Sequence, residues 1–118
     1  MAQFPNRSIA QRSFDYRTLG LGYANLGALL MVSGIPYDSE KARATAGALT
    51  AILTGASYAM STELAEKLGP FVEFDKNRDA MLRVMKNHRR AVYNANVQEY
   101  EGLMTFPQGI KSEHCPED

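Results

Sequence analysis

The sequence predicts a mainly α fold, a helical segment of about four helices with an irregular C-terminal tail. Three observations predict it. Apolar residues recur at helical spacing across residues 49–68 and 81–92. Helix start and stop residues bracket these runs: Asn6, Ser39 and Asn77 in front, Gly34 and Gly69-Pro70 behind. After residue 95 the periodicity is lost, and Gly102, Pro107, Gly109 and Pro116 punctuate the chain. The organisation expected is a helical segment over 1–94 and a tail or linker over 95–118.

The first helix is expected over residues 6–16. Pro5 stops anything earlier, Asn6 can cap, and Ile9, Ser13 and Tyr16 share a face with Phe14 beside it. Residues 17–19 are a turn or extended. Gly20 and Gly22 flank Leu21, and the pair predicts unusual dihedrals or a close backbone approach leading into a helix over residues 23–33. Gly34 is placed to end that helix at C′. Leu26, Leu29, Leu30, Met31 and Val32, with Ala24 and Ala28, leave almost no polar stripe, which predicts burial on all sides. Asp38 or Ser39 then caps a long helix over residues 40–68, about 43 Å at 1.5 Å per residue. Leu49, Ile52, Leu53, Ala56, Met60, Leu64 and Leu68 lie on one face of it. Gly47 and Gly55, among Ala44, Ala48, Ala51 and Ala59, let a neighbouring backbone come close, so packing on more than one side is expected. Residues 71–75 read as a linker with two aromatic anchors. Asn77 caps the last helix, to about residue 94, with Met81, Val84, Met85, His88 and Val92 inward.

The chain has 118 residues, enough for one domain with a core. Apolar residues make up 45% and charged residues 22%, an ordinary globular balance. Thirteen basic and thirteen acidic residues cancel, so nothing draws the chain to nucleic acid or an anionic membrane. The longest apolar run, Ala28 to Val32, is too short to span a bilayer. The N-terminus lacks an apolar signal core, and the single cysteine, Cys115, forms no internal disulfide. A cytoplasmic location is expected.

Gly20, Gly22 and Gly27 suggest a phosphate cradle, but a dinucleotide fingerprint needs glycine where Asn25 stands and a strand before it. A P-loop needs Lys-Ser/Thr where Ala28-Leu29 stand. The structural reading is preferred, and a stand-alone nucleotide binder is the weakest of three functional readings. Arg83 and Lys86-Asn87-His88-Arg89-Arg90 are expected on a solvated face, where cations complement a helix C-terminus. His88 is expected to be hydrogen-bonded in a core. Glu63 and Glu66 lack the Glu-x-x-His partners of a di-iron bundle. His114-Cys115 is an isolated soft-ligand pair, too few for zinc, and Cys115 reads as a free surface thiol. The six tyrosines read as amphipathic core edges. No catalytic, cofactor-binding or metal residue is assigned.

The segment from Tyr16 to Met31, YRTLGLGYANLGALLM, resembles a segment of adenosylcobalamin-dependent (class II) ribonucleotide reductases. The similarity continues through Gly34-Ile35-Pro36-Tyr37-Asp38-Ser39, Leu64-Ala65 and Leu68-Gly69-Pro70-Phe71. It resumes at Asn77-Arg78, Met81-Leu82-Arg83-Val84, Asn87-His88-Arg89-Arg90-Ala91, Glu99-Tyr100-Glu101-Gly102-Leu103 and Cys115-Pro116. Nearly the whole chain is covered, by several motifs in fixed order. The resemblance implies a parent with a ten-stranded α/β barrel that reduces ribonucleotides at the 2′ carbon, using a thiyl radical generated by cobalamin homolysis. It also implies that the radical cysteine, its asparagine and glutamate partners and the reducing cysteine pair lie on other segments, with the phosphate-binding loop following later. Cys115 falls at a linker Cys-Pro and is not the radical cysteine. The expectation is a fragment or split piece of such a reductase, without catalytic residues and inactive alone. Its partner is then the remainder of the reductase chain. The alternative is a free-standing helical module that self-associates or binds a protein through its apolar helices.

Overall fold

The computed structural model describes residues 3–115, so Pro116 of the tail lies outside it. Among the described residues there are four α-helices and no strand: α1 Arg7–Tyr16, α2 Leu26–Val32, α3 Glu40–Leu68 and α4 Phe74–Val92. Two short 3-10 turns, Val97–Glu99 and Ser112–His114, lie in the tail. The mainly α class is as the sequence predicts.

Local chemistry explains most of the helix ends. Asn6 accepts the Ile9 N–H at 3.0 Å and starts α1. Ser39 accepts the Ala42 N–H at 3.1 Å and starts α3. Helix α2 ends in a Schellman motif: Gly34, at φ 66, donates to Met31 O, and Ile35 donates to Leu30 O at 2.8 Å. Helix α4 ends in the same way with Asn94 at φ 51, which donates to Ala91 O while Ala95 donates to Arg90 O. At the end of α3, Gly69 takes φ 79 and Pro70 follows.

Two helix starts differ from expectation. Helix α2 begins at Leu26, three residues later than predicted, because Asn25 adopts the left-handed conformation at φ 65. Gly20 and Gly22 do not take that conformation, and a Cβ on either would meet nothing within 4 Å. The turn into α2 is therefore made by the asparagine. Helix α4 begins at Phe74 and not after Asn77, so the expected linker is partly helical. The Glu73 N–H donates to Asp15 O of α1 at 3.1 Å, and Phe74 meets Phe71 edge to face at 5.5 Å. Asn77 sits one turn inside the helix and donates to Glu73 O at 2.8 Å.

That corner docks α1. Arg17, whose backbone ends α1 at φ 46, donates from Nη2 to Gly69 O at 2.9 Å. Tyr16 lies 6.4 Å from Phe71, ring centre to ring centre. Tyr58 of α3 meets His88 of α4 at 2.8 Å, and residues 95–115 run along α4 and then onto the first half of α3.

The burial pattern departs most from expectation. The fully covered residues among those described are Leu30, Ala42, Ala44 and Asn87. Helix α2, expected buried all round, leaves Met31 77% and Val32 90% exposed. The long face of α3 leaves Ile52, Met60, Leu64 and Leu68 exposed, and α4 buries polar Asn87 where Met81, Val84 and Val92 were expected. The Cα radius of gyration is 17.7 Å, against about 13.5 Å for a compact chain of this length. The accessible surface is 9863 Å², against about 6,400 Å² for a compact monomer of this mass. The helices form, but they do not close over a common core.

Candidate functional site

An apolar groove lies between the lead-in to α2 and the middle of α3. Asn25 turns the chain and α2 follows, bringing Leu26 and Leu29 to one wall. The other wall is Leu49, Ile52, Leu53 and Ala56, which repeat at the 3, 4 spacing of one helical face. Tyr23 closes one end. Its hydroxyl is 2.8 Å from Thr50 Oγ1 and 3.2 Å from Ala46 O, so the phenol is hydrogen-bonded to α3. The groove encloses about 380 Å³. With a lining that is apolar apart from Asn25 and the engaged Tyr23 hydroxyl, it suits apolar side chains better than an anionic ligand.

Gly27, the third glycine of the sequence motif, lies on α2, where a Cβ would touch Tyr37 at 4.0 Å. Gly20, Gly22 and Gly27 thus form no cradle of left-handed glycines; the chain between them is open.

The basic run is not simply solvated. Asn87 is 7% exposed. Its Nδ2 donates to Glu101 O at 2.8 Å, and its Oδ1 accepts the Glu101 N–H at 3.1 Å. Arg90 Nη1 lies 3.1 Å from Asn87 Oδ1 and 2.8 Å from Glu101 Oε1. The hydrogen bond from Arg90 holds the Glu101 carboxyl below its ordinary 4.5, with the charges of Arg90, Lys86 and Arg83 adding and partial burial opposing. Arg89 lies over the Tyr93 ring at 5.9 Å. Arg83 lies beside Gly102, which takes φ 67.

The remaining weighed residues scatter. His88 is hydrogen-bonded as expected, its Nδ1 2.8 Å from Tyr58 Oη, but at an exposed edge between α3 and α4 and not in a core. Glu63 and Glu66 are exposed on α3. His114 is half-buried, with Nδ1 3.7 Å from Glu40 Oε2 and Nε2 3.5 Å from Glu113 Oε1. Glu40 is held below its ordinary 4.5, first by the hydrogen bond from Arg43 and then by its charge, with His114 and Lys111 adding. Cys115 is half-buried, its Sγ 3.8 Å from Lys111 O. Among the described residues, no three His, Cys, Asp or Glu side chains converge as metal ligands, and no helix is long and apolar enough to cross a membrane. A second cleft of about 670 Å³ lies between the end of α4 and the tail, lined by Val92, Asn94, Ile110 and Cys115, and opens widely to solvent.

Sequence reasoning did not reach the Asn87–Glu101 clasp or the seat of Ile110 against Gly47. The small residues of α3 were the one signal of the latter.

Residues 1–108 match the family model described as the ribonucleotide reductase barrel domain. The vitamin B12-dependent ribonucleotide reductase of Agrobacterium fabrum is 62% identical over 115 residues, which is 98% of this chain and 9% of the relative. The enzyme of the same description from Bradyrhizobium diazoefficiens is 50% identical over 117 residues, 99% of this chain and 9% of the relative. That from Streptantibioticus cattleyicolor is 47% identical over 104 residues, 88% of this chain and 17% of the relative. The chain therefore spans about a tenth of the length of the first two.

Proposed function

The chain belongs to the ribonucleotide reductase barrel-domain family, and from that premise we propose that it is one helical part of a much longer vitamin B12-dependent reductase. Its role there is scaffolding: its apolar faces pack against the remainder of the reductase polypeptide, in the cytoplasm, and the chemistry of converting ribonucleotides to deoxyribonucleotides is done by residues on other segments. One observation carries this reading. The chain exposes about 3,500 Å² more surface than a compact monomer of its mass, well above the roughly 800 Å² that one partner buries in a standard interface. The exposed surface includes Leu29, Met31, Val32, Ile52, Met60 and Leu68, arranged on two helices. Gly20 and Gly22, with ordinary dihedrals and open space around them, fit an approaching backbone from elsewhere in the parent.

Adenosylcobalamin is implied for the parent, and the residues here do not fit it. The groove is apolar, and the two histidines lie on other faces, one bonded to Tyr58 and the other beside Glu40 and Glu113. No step of the reaction is therefore placed on this chain.

A transplant tests the proposal. The matching 115 residues of the Agrobacterium relative are replaced by this sequence, and reduction of a ribonucleotide is assayed with adenosylcobalamin and a dithiol. The chimera is expected to retain turnover, deletion of the segment to abolish it, and the isolated chain to show none. A folded but inactive chimera, or turnover by the isolated chain, overturns the reading. A free-standing module, the alternative, predicts that the isolated chain forms a discrete, tightly packed oligomer in sedimentation.

A further inference from the structure

Residues 95–115 form a strap with two attachment points of unequal kind. The first is polar and covered. Asn87 pairs with both backbone groups of Glu101, and Arg90 secures the Glu101 carboxylate. The second is apolar and thin. Ile110 lies across Gly47 of α3, so close that a Cβ at position 47 would overlap the Ile110 side chain. Asn94 Nδ2 donates to Ile110 O at 2.8 Å, and the Ser112–His114 turn rests on α3. Between the two points lie Gly102 at φ 67 and Met104, which is wholly exposed.

We propose that this strap opens from its far end: residues 109–115 lift from α3 as one unit while Glu101 stays clasped to Asn87, and Gly47 is the residue that permits the closed state. Local opening is governed by how many covered contacts a segment must give up. The far end gives up one amide–carbonyl bond, the half-covered side chains of Ile110, His114 and Cys115, and the His114–Glu40 approach, none of them fully buried. The near end must break two backbone-like bonds to a buried amide and a charge-assisted one. Gly47 sits inside a 29-residue helix, where glycine costs about 1 kcal/mol relative to alanine. The approach of Ile110 gives that glycine a reason. Opening would uncover Gly47 and disturb the cover over the neighbouring start of α3. The inference stands on contacts within the chain and is independent of the proposed role in a reductase.

Cys115 supplies the readout. It is the single thiol of the chain and lies half-buried beside the second attachment point of the strap. Its rate of reaction with a neutral aromatic disulfide is compared in the 118-residue wild type, Gly47→Ala and Ile110→Ala, alongside thermal melting and amide hydrogen exchange. In Gly47→Ala the thiol is expected to react roughly fivefold faster or more, the change a loss of about 1 kcal/mol in closure produces. The amides of α3 are expected to be no less protected, because alanine favours the helix. Faster labelling with an undiminished helix is a pair of outcomes that general destabilisation does not give. Ile110→Ala should speed labelling without the helix gain. In the wild type the Glu101 amide should exchange more slowly than those of 109–115. Unchanged labelling in Gly47→Ala, joint exchange of Glu101 with 109–115, or a wild-type labelling rate equal to that of the denatured chain each overturns the proposal.

Discussion

Asn87 occupies the middle of a helix, where asparagine is a poor helix former, and its reason for being there is 14 residues away. Its amide presents one donor and one acceptor at the spacing of a peptide group, and Glu101 uses both. Asn87→Leu keeps the volume and removes both partners. The Glu101 N–H and C=O are then left part-covered and unpaired, a cost of about 1–3 kcal/mol. Urea unfolding of the variant should show that loss, while His88 and Arg89, its neighbours, tolerate alanine with little change. The clasp also titrates. The Glu101 carboxyl is lowered by Arg90, so its stabilising effect is full above the ordinary value of 4.5 and is lost as pH falls through the lowered value. Protection of the Glu101 amide, taken relative to its intrinsic exchange rate at each pH, should therefore fall as the carboxyl is protonated through its lowered value, and Glu101→Gln should flatten that dependence. None of this was legible in the sequence. A side-chain amide paired with distant backbone leaves no periodic trace, so Asn87 read as part of a solvated basic face.

At the scale of elements, legibility followed where the determinants lie. Helix α3 runs between the residues the sequence assigns because its signals are local: Ser39 caps it, and Gly69-Pro70 ends it. Ser39→Ala should therefore cost about 1 kcal/mol and fray the first turn, seen as faster exchange at Ala42. The end of α2 was equally legible, since Gly34 takes the left-handed conformation that a Schellman motif needs. The start of helix α4 was displaced by four residues because its first turn is held by Asp15 of α1 and by the packing of Phe71 on Phe74. The two aromatic residues were legible as anchors but not as a helix start, and Asp15 lies 58 residues away from Glu73. The glycines at 20 and 22 misled for the opposite reason. Their permissiveness was legible, but it is not used for left-handed geometry, and Asn25 makes the turn.

At the scale of the whole molecule, helical periodicity says which residues share a face but not what covers it. The apolar stripe of α3 was correctly placed on one side of a helix. Its cover was not determined, and Ile52 stands 69% exposed. This separates two consequences of one substitution. In the isolated chain, Leu29→Glu with Ile52→Glu adds charge to surface that is already wet, so helicity should hold and self-association should fall. In the Agrobacterium chimera the same pair would sit in a covered interface, where an unpaired carboxylate is desolvated at a cost of several kcal/mol. Assembly and turnover there should collapse. Circular dichroism and sedimentation of the chain, set beside the activity of the chimera, read both signs at once. A double variant that leaves the chimera fully active would mean that the groove faces solvent in the parent as well, and the excess surface of this chain would then need another explanation.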